Sequence, residues 1–272
     1  MLIFTLTSIP PRFSRIGPTL GSLKAQTARP DAIHLYIPAS YQRFPDWNGN
    51  LPKVPEGVEI HRVADDFGPA TKVLPAARAF RGRDVDILFC DDDRAYAPGW
   101  AAEFLRAKRA HPGCAIAKRG MMAHDKVGTT TRRKLQPRAL HRPEWADPGF
   151  LIRRLVAGRN SAGQPERKLF SRSGYTDMFE GCAGVLVQPD YFDDRAFDIP
   201  QVARTVDDVW LSGMLAHKGI PIWLVANTLT PAKTGADGQA PLAQMQTGGD
   251  GRHEANIAAI RHMQEEFGVW LG

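Results

Sequence analysis

"ILFCDDDRAYAPGW", residues 87–100, decides the fold. An apolar run from Ile87 to Cys90 meets three carboxylates, Asp91, Asp92 and Asp93, and Pro98 then opens a helical pattern. An almost continuously apolar run reads as a strand buried on both faces, as in the middle of a parallel sheet. Three like charges at its end repel one another and resist burial unless something opposite compensates them.

Working outward, the same alternation recurs. "LIFTLTSI" (2–9), "DAIHLYIP" (31–38), "GVEIHRV" (57–63), "DVDILFC" (84–90) and "CAIAKR" (114–119) read as strands. Between them, "SRIGPTLGSLKAQ", "GPATKVLPAARAF" (68–80) and "PGWAAEFLRAKRAH" (98–111) carry helical spacing, with Pro75 restricting the start of the second. After residue 178 the pattern resumes. "FEGCAGVLVQPDYF" (179–192) precedes the helix "VDDVWLSGMLAHKG" (206–219), the strand "IPIWLV" (220–225) and a last amphipathic helix, 253–268. Strand–helix alternation predicts an α/β fold with a mostly parallel sheet flanked by helices. Ligands in such sheets bind beyond the carboxyl ends of the strands. The triplet lies at such an end, as do "TSIPPR" (7–12) and "DDFGPATK" (65–72), so three loops should converge on one crevice.

The 272-residue chain is 43% hydrophobic and 24% charged, ordinary values for a globular protein. Cys90, Cys114 and Cys182 lack metal-ligand spacing and read as buried free thiols of a reducing, cytoplasmic compartment. The amino terminus has no basic region before its short apolar run, so it reads as a strand rather than a leader. Net charge is +6, unevenly placed: residues 118–172 hold fourteen Lys or Arg against four Asp or Glu, a balance of +10. That basic stretch is rich in Arg, Pro, Gly and Ser. It reads as an insertion or lid with one short helix, open to an anionic partner or to peripheral membrane contact. The expected organisation is 1–117, the half that carries the acid triplet; 118–178, the basic insertion or lid; and 179–272, a second half with the last helix.

If strand geometry persists through the triplet, Asp91 and Asp93 point to one side and Asp92 to the other. Two carboxylates in one crevice suit a hard divalent cation, Mg²⁺ or Mn²⁺, shared with substrate phosphates. Lys72 and Arg12, on the converging loops, supply cations for the same phosphates. Thr7 and Asp92 complete the candidate binding set of that crevice.

These residues resemble a family. "TLTSIPPR", "TLGSLKAQ", "DDD", "EGCAG" and "VDDVWLSGMLAHKGIPIW" look like a nucleotide-sugar glycosyltransferase of the GT-A type, in the manner of bacterial family 2-like enzymes. The resemblance covers roughly 1–115 and 179–226. It implies a single GT-A-like, Rossmann-like domain of two abutting halves, 1–117 binding the nucleotide sugar and 179–272 the acceptor, with "CDDD" at the metal- and donor-binding D-x-D position. By it, Asp93 is the best metal ligand, and Asp91 binds metal, donor ribose or sugar hydroxyls. Glu180 lies near the transferred sugar, and "VDD" supplies the catalytic base, Asp208 with Asp207 as helper. A late metal ligand from the carboxyl-terminal segment would be His253. The donor implied is a UDP-sugar, and the acceptor a glycan, lipid-linked or protein hydroxyl. The acid after the second strand that reads the nucleobase in such enzymes is missing until Asp46, and no processive Q-x-x-R-W signature follows the acid pair. Trp145, Trp210 and Trp223 are candidates for stacking on sugar rings, the latter two more readily as core.

Two other readings use the same residues. A nucleotidyltransferase would direct the acids at a phosphoryl centre, but "SIPPRF" lacks the Gly-rich phosphate loop that reaction ordinarily brings. A non-catalytic module for an anionic glycan would use residues 118–172 and leave the acid clusters without purpose. Nothing points to nucleic acid.

Overall fold

This computed structural model describes residues 1–128, 135–157, 167–240 and 251–271. Eight strands form the main sheet: β1 (Leu2–Thr7), β2 (Ala32–Pro38), β3 (Val58–Val63), β4 (Asp86–Phe89), β5 (Ala115–Ala117), β6 (Gly174–Thr176), β7 (Val185–Val187) and β8 (Ile222–Leu224). Their spatial order is β6-β8-β5-β7-β4-β1-β2-β3. Strands β3, β2, β1 and β4 run parallel, β7 runs against both β4 and β5, β8 follows β5, and β6 opposes β8. Six of the eight strands therefore share a direction. The fold is α/β, with the expected mostly parallel sheet.

Side-chain alternation along the strands builds two cores. Leu2, Phe4 and Leu6 of β1, with Leu88 of β4, face Leu20 and Leu23 of α1 (Gly17–Lys24) and Phe104 of α3 (Trp100–Ala110). Ile3, Ile87 and Phe89 face the opposite layer: Leu74 of α2 (Leu74–Ala79), Leu211 of α6 (Asp207–His217) and Ile260 of α7 (Arg252–Phe267). Every strand of this central pair is thus buried on both sides, which is why "ILFC" carries no polar residue.

Three expectations are adjusted. The segment 68–80 is not one helix: a 3-10 turn, Gly68–Lys72, gives way at Val73 to α2, because Pro75 fits only a helix's first turn. Among its described residues the stretch 120–178 holds two short α-helices, α4 (His124–Val127) and α5 (Pro148–Ala157), and lends β6 to the main sheet through the pairing of Tyr175 with Trp223. Several of its cations are paired internally, Arg138 with Asp177 and both Arg154 and Arg167 with Glu144, and Lys118 just before it pairs with Glu103 of α3. Arg132, Arg133 and Lys134, in the same basic run, lie outside the described residues. Cys90 and Cys114 are buried, but Cys182 is half-buried on the wall of a crevice. Among the described residues no helix is long and apolar enough to cross a membrane.

Candidate functional site

The loops after β1, β3 and β4 meet the start of α6 around one crevice of about 830 Å³. Thr7, Arg12, Lys72, Asp91, Asp92, Asp93, Glu180, Asp207 and Asp208 all line it. Among the described lining residues eight are acidic and seven basic, a balance of −1.

The triplet does not continue the strand. β4 ends at Phe89, and Asp92 and Asp93 sit in a turn, so strict alternation fails. Asp91 turns towards Lys72, whose ammonium is 2.8 Å from its Oδ1. Asp92 is bound by its neighbours instead: Ser8 donates to its Oδ2 at 2.5 Å and Arg12 to its Oδ1 at 2.6 Å, while Thr19 donates to its carbonyl at 2.8 Å. It ties the first loop to the triplet. Asp93 stands between Arg12 at 3.2 Å and Arg94 at 3.2 Å. The Tyr96 hydroxyl holds the backbone of Asp91 from below, within 3.2 Å of both its amide nitrogen and its carbonyl oxygen.

Lys72 joins the two acid clusters. Its ammonium lies 2.8 Å from Asp91 Oδ1 and 3.0 Å from Asp207 Oδ2. Burial opposes its charge, but Asp207, then Asp91 and Asp208, hold its pKa well above the ordinary lysine value. The sequence reading has this lysine meeting a phosphate; in the structure it is committed to carboxylates. Arg12 is likewise engaged, with Asp92, Asp93 and the Gln239 carbonyl.

The acid pair opens α6, where the helix dipole favours negative charge. Asp207 is buried against Lys72. Asp208 faces the crevice and accepts the Gly181 amide at 3.0 Å. Here "EGCAG" needs its glycines. A Cβ on Gly181 would stand 2.7 Å from Lys72 Nζ and 3.0 Å from Asp208 Oδ1. Gly184 has φ +90°, and a Cβ there would be 2.3 Å from the Trp100 ring. Glu180 pairs with Arg119 at 2.6 Å on the same wall.

The electrostatics separate these acids. Burial would raise Asp91, but Lys72, then Arg94 and Arg12, bring it below the usual carboxylate value. Burial raises Asp92 despite Arg12. Burial and then Asp91 push Asp93 up to about 6. Burial and then Asp207 push Asp208 up to about 8, with Lys72 opposing. Carboxyls held at such different values within one cleft are the pattern of sites that move protons or hold metals.

The residues present fit a hard cation. Asp93 Oδ1 and Asp207 Oδ2 are buried and make no well-aligned hydrogen bond, each being held by an ion pair, with Arg94 Nε at 3.2 Å and Lys72 Nζ at 3.0 Å, and the donors on offer to a cation are carboxylate oxygens. His253 does not join them. It is exposed at the start of α7 and is not among the crevice residues, whereas Arg252 and Asn256, one helical turn apart, are.

A covering segment without any motif in the sequence completes the crevice. Residues 232–240 cross the rim: Ala232 and Lys233 pair with Ala95 and Arg94, Thr234 donates to the Asp93 carbonyl at 2.9 Å, and Arg43 donates to Ala240 at 2.8 Å. Arg204 reaches the crevice too, donating to the Asp66 carbonyl at 2.6 Å. A second cavity, about 340 Å³ and partly lined by Arg138 and His141, shares Met121 with the crevice. Trp210 is core, Trp223 stacks on His111 at 3.6 Å, and Trp145 is exposed away from both cavities.

No family model matches the chain, and no curated protein matches it in sequence. Solved structures resemble it in shape. A Francisella tularensis 2-C-methyl-D-erythritol 4-phosphate cytidylyltransferase aligns over 85% of this chain and 92% of its own, at 13% identity and a TM-score of 0.43. Residues 1–349 of S. aureus TarS align over 98% of this chain and 72% of that one, at 10% identity and a TM-score of 0.45. The same TarS fragment in complex with UDP aligns over 84% and 58%, at 10% identity and 0.42. The likeness concerns the arrangement of strands and helices; the site is read from its own geometry.

Proposed function

We propose that the chain is a metal-dependent glycosyltransferase, moving a sugar from a nucleotide diphosphate donor, a UDP-sugar, to a hydroxyl acceptor with inversion. The observation that carries this reading is the Lys72 bridge, which brings the acids after β4 and the acids at the head of α6 into one crevice. Glycosyl transfer needs those two functions side by side: one to hold the diphosphate, one to take the acceptor proton.

Asp91 and Asp93 would hold Mg²⁺ or Mn²⁺. When bound, the cation offsets the negative charge that grows on the leaving diphosphate. Arg204 and Arg252, whose side chains line the same crevice, supply further positive charge for the phosphates. Asp208 acts as general base. The acceptor oxygen bonds to the anomeric carbon while the bond from that carbon to the diphosphate oxygen breaks; the acceptor proton passes to Asp208, and the diphosphate leaves with the bonding electrons. Asp207 and Lys72 position this base, and Glu180, with Arg119, faces the sugar side. A carboxyl near 8 is well placed as a base close to neutral pH, because it binds the incoming proton strongly.

The test is a donor-hydrolysis screen over nucleotide sugars, with and without Mn²⁺. Slow release of sugar from one donor, dependent on the cation, supports the reading. Release of pyrophosphate from a nucleoside triphosphate instead would make the chain a nucleotidyltransferase.

A further inference from the structure

Helix α5 has an unusual surface. Phe150 is its buried anchor and packs against the Arg167 guanidinium, 5.4 Å from the ring centre. Its outer face is apolar: Ile152 is 63% exposed, Leu155 82% and Val156 82%, with Leu151 beside them. Trp145, one turn before the helix, is 79% exposed. At 100° per residue, positions 151, 155, 152 and 156 sweep a continuous arc of about 140°. Arg154 borders one edge of that arc and Arg153 the other. Large aliphatic side chains are rarely left in water in such a group.

We propose that this face docks on an anionic lipid bilayer. Charge complementarity selects that occupant. Arg154, 58% exposed and paired with the half-exposed Glu144 at 3.1 Å, can trade that solvated pair for lipid phosphate at the edge of the face while Leu155, Val156 and Ile152 enter the acyl boundary. The +10 balance of residues 118–172 adds attraction to an anionic leaflet. An exposed tryptophan at one end suits the interface, where its ring is apolar and its N–H polar. One short helix gives reversible attachment, and the inference does not depend on the reaction catalysed.

The experiment is flotation of the full chain with vesicles of phosphatidylcholine alone or with about a third phosphatidylglycerol. The chain should float with the anionic vesicles, less so as salt rises. The double variant Leu155→Ser, Val156→Ser should bind at least about tenfold more weakly; both positions are exposed, so folding is retained, and circular dichroism checks this. Binding equal for the two vesicle types, no binding, or unchanged binding by the double variant would overturn the proposal. So would a concentration-dependent dimer that the double variant abolishes, which would make the face a contact between copies.

A different observation carries a second inference. On the edge of the sheet, His34 of β2 lies opposite Glu59 of β3, and Tyr36 opposite His61. Glu59 Oε2 is 3.6 Å from His34 Nε2 and 3.1 Å from His61 Nε2. Ligands about 2.0–2.1 Å from a tetrahedral zinc are roughly 3.3 Å apart, so these atoms already stand at coordination spacing. The Tyr36 hydroxyl is 3.3 Å from His34 Nδ1 and can accept its proton, leaving Nε2 to ligate. None of the three lines the crevice. We infer a three-ligand site for a zinc-class transition metal, clipping edge strand β3 to β2, with water at the fourth position. Two imidazoles favour Zn²⁺ over the Mg²⁺ or Mn²⁺ of the carboxylate site. Calorimetry of the chelator-stripped chain with Zn²⁺ should show a tight site besides any uptake by the crevice carboxylates, weakened at least about tenfold by Glu59→Gln or by His61→Gln and retained in Asp93→Asn. Absent binding, or binding indifferent to both edge-strand variants, would overturn it.

Discussion

The Lys72 ammonium stands 3.0 Å from Asp207 Oδ2, and the two side chains are only 5% and 4% exposed. Removing one partner of such a pair strands the other charge in a poorly solvated place. Lys72→Met should therefore destabilise the fold by about 3–5 kcal/mol, measured by urea unfolding. Adding Asp207→Asn to that variant should recover part of the loss. A cost near that of an ordinary surface substitution would mean the pair is not the buried link described.

Asp208 carries a pH signature. Burial and Asp207 push its carboxyl up to about 8, whereas an unfolded aspartate titrates near 3.9. Between those values the native chain binds more protons, so this group subtracts stability as pH rises from about 4 to about 8. Asp208→Asn removes that penalty. Its Tm advantage over the parent should grow with pH across the range, by roughly 2–4 °C for each kcal/mol recovered. Parallel Tm curves would show that Asp208 titrates normally.

The same variant should be nearly inactive. Loss of a general base costs about 10²–10⁴ in turnover. Donor affinity with Mn²⁺ should stay close to that of the parent, since Asp91 and Asp93 would provide it. The parent kcat/KM should rise with pH towards a plateau above about 8, as Asp208 gives up its proton. If Asp207→Asn is dead and Asp208→Asn active, the roles are exchanged.

Much of this was legible in the sequence, for physical reasons that also mark where legibility ends. The strands could be read because a sheet covered on both faces demands short apolar runs, and "LIFTLT" and "DILF" are such runs. The crevice could be placed because its loops follow parallel strands. The orientation of the triplet could not: alternation holds only within a strand, and β4 stops at Phe89. Nor could the engagement of Lys72, since its partners lie far along the chain and a sequence shows a cation without its neighbours. Residues 232–240 have no apolar period, because arginine side chains hold them by their carbonyls. For His253, one position decides: Arg252 and Asn256 share a helical face that it does not.

The glycines of "EGCAG" offer a separate check on the wall between the acid clusters. Gly184→Ala must fit a Cβ at 2.3 Å from the Trp100 ring in a backbone with φ +90°. It should destabilise the chain by about 1–3 kcal/mol or more. Gly181→Ala presses on Lys72 Nζ and Asp208 Oδ1, and should lower turnover more than stability. Both variants behaving like the parent in unfolding and turnover would contradict the packing described.

The most direct measurement of the central claim is calorimetric titration of UDP into the parent chain and into Asp93→Ala, each with and without Mn²⁺. Asp93 Oδ1 is buried and faces the Arg94 guanidinium at 3.2 Å without a well-aligned hydrogen bond, which leaves its lone pairs open to a metal ion. The parent should bind UDP at least about tenfold more tightly with Mn²⁺ than without it, and Asp93→Ala should lose that gain while keeping its fold. Equal UDP affinity in the parent with and without Mn²⁺, or a full Mn²⁺ effect in Asp93→Ala, would contradict a metal-dependent nucleotide-sugar site at the end of β4.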